Sequence, residues 1–356
     1  MKHRVLVYEG PASDWYWKLF DDIMSNHREI ECTQGLGFES PNSLVAIIGP
    51  ADSCIEAFAS VDLPRTGHAD AKLTFSLLYS LRRILGYHET VLFDKYPILC
   101  KYVDRRVKPF YARSNSYLCE EVPDTLLCQP WVSKVVVAGH EMYAIDQIGR
   151  AVDVLANPKR RGSRTCLVDF GDGFKSRCIM SWLFTIRDGG VDAYNNVRSN
   201  DLLLGMPNDL IDVRLCQLII AASTGMGIGH VTHQASLVQV YKRDVAGRDQ
   251  VRALTDLRDR WHPEDRELVI KRLWGNCLLQ DILSVVEPCN GFEVYNAVEG
   301  WHRYQTIIGK LSHIFWSHNT ECVPQNRLSV RYGLRSETPG SSGVESPERP
   351  SVRPEN

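Results

Sequence analysis

Apolar residues follow two rhythms along this chain. Alternation marks "HRVLVYEG" (3–10) as a short strand, and "SLVAIIGPAD" (43–52) reads as a buried strand ended by Gly49-Pro50. Helical spacing appears in "WYWKLFDDIM" (15–24) and in residues 71–86, which stop at Gly86. It appears again in "AIDQIGRAVDVLANP" (144–158), ended by Asn157-Pro158. From 100 to 140 neither rhythm holds, and Pro109, Pro123 and Pro130 predict an irregular stretch. Residues 178–197 alternate on both sides of Asp188-Gly189-Gly190 and predict a hairpin. The next segment, "DLIDVRLCQLIIAA" (209–222), is apolar around most of its circumference, as a central buried helix would be. Residues 266–285 predict a further helix in a C-terminal extension. From Gly333 onward Ser, Pro, Gly and charge dominate, so 333–356 is expected to be a disordered tail.

Composition adds mainly exclusions. At 44% hydrophobic and 24% charged residues, with a formal net charge of −2, the chain has no electrostatic footprint for nucleic acid. No apolar run approaches the roughly 20 residues a membrane span requires, and "MKHRVLVYEG" is too polar for a signal peptide. Eleven cysteines, an odd number without dense spacing, fit reduced thiols in a cytoplasmic protein.

The residues that carry chemistry lie within thirty-two positions: Cys178, then Arg198-Ser199-Asn200-Asp201, then Asn208-Asp209. They offer a thiolate nucleophile, an anion-binding Arg/Ser pair and a carboxylate able to read a base. Cys178 is flanked by Lys175 and Arg177, and would face Arg198 across the hairpin. Positive neighbours lower a thiol pKa, so Cys178 is expected to be thiolate-rich.

This constellation resembles the core of the thymidylate synthase superfamily, most closely its cytidylate 5-hydroxymethylase branch. In that superfamily the nucleophilic cysteine precedes the arginine of an "RS-x-D" motif by twenty residues, the interval between Cys178 and Arg198. A decoy at Arg113-Ser114-Asn115 lacks the aspartate, the following "GMPND" and the preceding cysteine. The resemblance implies an α/β (α+β) fold with a mixed sheet and flanking helices. One catalytic domain would span 1–332, with a divergent N-terminal part and a C-terminal helical extension. It also implies that Arg198 and Ser199 hold a nucleotide 5′-phosphate, that Asn208 lies against the substrate, and that Asp201 contacts a folate. Thymidylate synthases end the motif with an asparagine that complements N3–H and O4 of uracil; here the position is Asp209, as in the cytidylate branch. Cytosine presents a bare N3 and a 4-amino donor, and a carboxyl group sharing a proton matches both. The same group can assist as a general acid at N3. Asp209 can alternatively be an N-cap for "DLIDVRL".

Looser matches extend the picture. "NPKRRGSR" resembles the arginine pair that superfamily dimers donate across the interface to a phosphate, which makes Arg160, Arg161 and Arg164 candidates and implies a homodimer. "SYLCEEVPDTLLCQPW" resembles a segment ending in an active-site tryptophan, here Trp131, although an isolated tryptophan is more often a core residue. Tyr241 matches the tyrosine of an "H-x-Y" sugar-binding motif whose histidine is replaced by Gln239, so CMP and dCMP stand level as substrates. The family's "E-L-x-W" glutamate has Arg106 or Val107 in its place, leaving Glu120, Glu121 and Glu141 as stand-ins.

The implied reaction is addition of Cys178 to C6, capture at C5 of the one-carbon unit of 5,10-methylenetetrahydrofolate, and hydration to the 5-hydroxymethyl nucleotide, with no metal. Nucleoside-antibiotic synthesis and phage DNA modification are the settings such a product suits. A reductive C5-methyltransferase and a silent nucleotide-binding paralogue are the alternatives. "TGMGIGH" follows a helix instead of a strand, unlike a dinucleotide loop. His230 and His233 lack metal-site spacing and read as surface or core residues.

Overall fold

The computed structural model describes residues 3–32, 35–64, 73–87, 89–92, 116–119, 122–137, 139–160, 166–170, 178–245, 252, 254–258, 266–286 and 296–320. All of them fall in one unit, Met1–Cys322. In chain order the elements begin with β1 (Val5–Glu9), α1 (Ala12–Asn26), β2 (Arg28–Cys32), β3 (Gly35–Glu39), β4 (Ser43–Ile48), α2 (Cys54–Val61) and α3 (Leu73–Ile84). β5 (Ser116–Cys119), the short α4 (Asp124–Leu127), β6 (Val132–Val137) and β7 (His140–Asp146) lead into α5 (Gln147–Ala156) and β8 (Leu167–Asp169). Next come β9 (Ile179–Arg187), β10 (Gly190–Val197), the two-residue β11 (Asn200–Asp201) and α6 (Gly205–Thr224). The remaining elements are β12 (Gly227–Ala235), β13 (Val238–Tyr241), α7 (Lys242–Val245), α8 (Arg266–Trp274), α9 (Cys277–Val286) and α10 (Ala297–Thr320).

Six strands form a mixed sheet in the order β1-β4-β12-β10-β9-β8. β1/β4 and β10/β12 are parallel, and the other pairs are antiparallel. A second sheet, β11-β13-β3-β2, carries the residues just past the hairpin. A third, β5-β7-β6, takes up half of the described residues in the stretch expected to be irregular. The prolines misled there: Pro123 and Pro130 flank α4 and do not interrupt a strand. Pro109 lies outside the described residues.

The hairpin closes as the sequence predicts. Asp188 and Gly189 both take positive φ, +50° and +79°, the two-residue type I′ turn whose twist suits antiparallel strands. The buried strand expected at 43–52 is half-buried and alternating over Ser43–Ile48. The helix read over 144–158 starts only at Gln147, because Ala144–Asp146 complete β7 and Asp146 accepts the Gly149 N–H at 2.9 Å. The single helix read over 266–285 is two, divided at Gly275-Asn276. The tail from Gly333 lies outside the described residues.

α6 runs through the centre with seventeen of its twenty residues buried, so its polar side chains need internal partners. They find them where β10 bulges against β12 between Val191 and Ala193. Gln217 Nε2 donates to the carbonyls of Gly229 (3.2 Å) and His230 (3.1 Å), and Arg214 Nη1 donates to Gly229 O at 3.3 Å. Gly229 is required there: a Cβ would sit 2.7 Å from Val191 O and closer still to Asp192 Oδ1. The glycines of "TGMGIGH" therefore serve a helix-to-strand junction, with Gly225 as the left-handed C-cap (φ +70°). Gly229→Ala is expected to cost about 1–3 kcal/mol through overpacking. Urea unfolding checks this; an unchanged midpoint would mean that the bulge relaxes freely.

The C-terminal extension belongs to the same core. α10 lies on α5, where Tyr304 Oη donates to Asp146 Oδ2 at 2.8 Å. The approach depends on missing side chains, since a Cβ at Gly300 would meet Ala156 Cβ at 2.7 Å.

Candidate active site

The hairpin delivers two of the expected residues together. Cys178 directly precedes β9 and Arg198 directly follows β10, and the Arg198 N–H donates to the Cys178 carbonyl at 2.9 Å. Both residues are exposed, with Ser199 half-buried beside them. From Asn200 the chain crosses to the second sheet. Asn200 N–H donates to Leu237 O and Leu202 N–H to Gln239 O, each at 2.9 Å, so Asp201 pairs with Gln239. Gln239 and Tyr241 share one face of β13, and Gln239 Nε2 donates to Tyr241 Oη at 2.6 Å. The Arg243 guanidinium lies over the Tyr241 ring, 4.8 Å from its centre.

Asp209 is not a helix cap. α6 begins at Gly205, with Leu204 in the cap position, which puts Asp209 in the second turn. Its Oδ2 accepts a hydrogen bond from Asn200 Nδ2 at 2.7 Å. Asn200 Oδ1 in turn faces His233 Nε2 at 3.0 Å, and His233 Nδ1 faces Asn195 Nδ2 at 2.9 Å. Asn195 Oδ1 accepts the Trp182 indole N–H at 3.2 Å. The neighbouring Asn208 anchors the first turn by donating to Leu204 O at 2.9 Å, and its side-chain oxygen accepts from Ser76 Oγ.

These positions leave three titratable groups displaced in the same direction. Burial, with Asp212 and Asp201 nearby, pushes Asp209 up to about 7 against the opposing pull of Arg83 and of the Asn200 hydrogen bond. Asp201 is also pushed up to about 7, by burial and by Asp244, although its Oδ1 accepts the Leu203 and Leu204 N–H groups at 3.1 and 3.4 Å. The Cys178 thiol is raised too, by the protein packed around it and by Asp209 and Asp201, which outweigh Arg198. This overturns the expectation of a depressed thiol. The sequence neighbours Lys175 and Arg177 lie outside the described residues, and the through-space neighbours include two carboxyl groups.

The looser candidates are dispersed. Trp131 is buried at 3% exposure, with the Arg150 guanidinium 5.4 Å from its ring centre. Its indole N–H has no acceptor among the described residues. Arg160 is exposed and ion-paired with Asp153 at 3.0 Å; Arg161 and Arg164 lie outside the described residues. Of the three glutamates, Glu141 is exposed on the β6–β7 hairpin and paired with Lys134 at 2.7 Å, while Glu120 and Glu121 are not described. Arg106 and Val107 are not described either. Among the described residues Cys128, Cys166, Cys178, Cys216 and Cys277 are free thiols. Among the described residues no cluster of metal-binding side chains occurs, and no helix is long and apolar enough to cross a membrane.

Trp182 and Asn195 were not singled out from the sequence, and His233, read as a surface or core residue, is fully buried. The signal was present: Asn195 alternates with Ala193 and Val197, and His233 with Val231 and Ala235, all fully or nearly fully buried. A polar residue in the buried phase of a strand requires a partner.

The comparisons with known proteins agree with this geometry. The thymidylate synthase family model matches residues 117–292, from β5 through α9, a segment that contains the whole Cys178–Tyr241 cluster. No curated protein matches the chain significantly. The family match supports the thymidylate synthase superfamily, and the mixed sheets with flanking helices are consistent with a thymidylate synthase-like fold.

Proposed function

From the thymidylate synthase match and the cysteine–aspartate geometry, we propose that the chain is a cytidylate 5-hydroxymethylase acting on CMP or dCMP. The observation that carries the reading is Asp209: a carboxyl in the second turn of α6, raised to about 7 and electrostatically coupled to Cys178. A carboxyl that holds its proton near neutrality can donate to the bare N3 of cytosine while accepting from the 4-amino group, a pattern that uracil does not offer.

The thiolate of Cys178 adds to C6, and Asp209 supplies a proton to N3 as charge develops in the ring. The raised thiol must lose its proton before addition, and the exposed Cys178 gives it up to solvent. A bound 5′-phosphate beside Arg198 repels the thiolate, whereas neutralised carboxyls at Asp209 and Asp201 favour it. Arg198 and Ser199 hold the phosphate by charge-assisted hydrogen bonds. Gln239 and Tyr241 face the sugar, and Asn208 steadies the helix turn that carries Asp209.

5,10-Methylenetetrahydrofolate supplies a one-carbon unit at the oxidation level of formaldehyde. Two groups of the chain fit a folate. The buried Trp131 indole N–H needs an acceptor, and Asp201 Oδ2 is left for a donor because Oδ1 serves the Leu203 and Leu204 N–H groups. A homodimer would bring Arg160, Arg161 or Arg164 of a second copy to the phosphate.

Incubation with CMP, dCMP, UMP and dUMP plus methylenetetrahydrofolate, read by mass spectrometry, tests the proposal. A 5-hydroxymethylcytidylate product supports it, and a methylated product accompanied by dihydrofolate replaces it with a methyltransferase. The raised Cys178 thiol favours a second reading, a nucleotide-binding chain without catalysis. Nucleotide binding without tritium release from C5 would identify that case.

Arg198→Ala is expected to weaken nucleotide binding by about 1.5–3 kcal/mol, the range for hydrogen bonds to charged groups. The nucleoside should lose little. Calorimetry with both ligands decides it, and equal losses would make Arg198 a structural residue.

A further inference from the structure

Trp182, Asn195 and His233 stand in one row across three strands, Trp182 opposite Asn195 and Asn195 opposite His233. All are at most 2% exposed, and Asn200, which continues the row, is 1% exposed. Four hydrogen bonds in series join Trp182 to Asp209, and their direction follows from chemistry. An indole N–H can only donate, so the Asn195 oxygen must face Trp182. The Asn195 amide nitrogen then faces His233 Nδ1, which must be the acceptor, and the imidazole proton sits on Nε2. Nε2–H donates to Asn200 Oδ1, and this turns the Asn200 amide nitrogen toward Asp209 Oδ2. One obligate donor orients the whole series.

We infer that Trp182, Asn195, His233 and Asn200 are positioning residues that fix Asp209 Oδ2 as the accepting oxygen and place the carboxyl proton on Oδ1, toward the base of a bound pyrimidine nucleotide. The inference rests on the reading of Asp209 as the base-reading group and adds the residues that determine its specificity. A carboxyl free to rotate would present a bare oxygen or an O–H equally well, matching either base. A carboxyl held in one orientation leaves the wrong base with unpaired groups, which is how buried sites discriminate. Reversing one member alone would set donor against donor or acceptor against acceptor in a dry environment, so the row turns together or not at all. His233 burial fits this role: with its pKa lowered to about 4 by desolvation, the ring stays neutral and keeps one acceptor nitrogen.

The first test needs no turnover. In protein carrying ¹⁵N-labelled histidine, the His233 ring, identified by its loss in His233→Gln, should show the neutral Nε2–H tautomer. The Nδ1–H tautomer, or an imidazolium at neutral pH, overturns the inference. The second test measures binding of CMP and UMP, and of dCMP and dUMP, to Trp182→Phe and Asn200→Leu. Trp182→Phe keeps a ring against Phe170 and Phe184 but removes the donor. The cytosine-to-uracil affinity ratio should fall by about tenfold, while ribose 5-phosphate binding stays unchanged. If Asp209→Ala shifts the ratio but folded Trp182→Phe and Asn200→Leu do not, the row is structural and the inference fails alone. If Asp209→Ala leaves the ratio unchanged in folded protein, the base-reading assignment itself fails.

Discussion

Cys178→Ala is expected to abolish exchange of the C5 proton while leaving nucleotide affinity within about tenfold of wild type, because the thiolate acts on the reaction path and not in ground-state binding. The structure makes the substitution benign for folding. Cys178 is exposed, precedes β9, and contributes to the hairpin through its backbone carbonyl, which still accepts from the Arg198 N–H. Its raised thiol adds a second expectation. The ligand-free protein should alkylate slowly with iodoacetamide at Cys178, and more slowly still once a bound nucleotide covers the sulfur. Mass spectrometry of the modified peptide and tritium release from C5 are the two measurements. Persistent tritium release in folded Cys178→Ala protein would remove this residue from the chemistry.

Asp209→Asn is expected to lower activity on the cytosine nucleotide and raise relative activity on the uracil nucleotide. The shift in the ratio of kcat/KM values should be on the order of 1–3 kcal/mol, the cost of an unsatisfied buried polar group. An amide keeps an oxygen for the Asn200 Nδ2 donor, so the contact that holds the side chain survives. What changes is the chemistry toward the base: held with its oxygen on Asn200 Nδ2, the amide offers NH₂ in place of the carboxyl O–H, and no proton remains to transfer to N3 of cytosine. Because α6 starts at Gly205, the substitution removes no helix cap, and thermal stability should not fall for that reason. The assay requires both bases on the same sugar, so that the Gln239 replacement does not enter the comparison. An unchanged ratio in the folded variant would leave the cytidylate reading without its central support.

Much of this protein was legible in its sequence, for physical reasons that can be named. Periodicity located β1, α1, β4, α3, the β9–β10 hairpin and α6, because all but the half-exposed β1 bury one face or the whole of their surface and the residues must alternate accordingly. Asp188-Gly189 announced the turn because few residue pairs tolerate two positive φ angles in succession. The meeting of Cys178 and Arg198 was legible too, because a hairpin returns its two ends to one place, and the Arg198 N–H donates to the Cys178 carbonyl.

What only the tertiary structure decided has a common cause: it depends on partners far away in the chain. The strands between 116 and 146 escaped notice because prolines bounding elements look, in one dimension, like prolines breaking them. The Cys178 thiol moved opposite to expectation because its adjacent residues are basic, whereas the groups that reach it through space include Asp209 and Asp201. Asp209 changed from a possible cap to a second-turn side chain once Gly205 was seen to start the helix. The row from Trp182 to Asp209 joins β9, β10, β12, β11 and α6, and no local pattern connects those five elements. Sequence periodicity marks which positions are buried; only the fold says which buried polar groups meet, because hydrogen bonds are satisfied between strands and not along them.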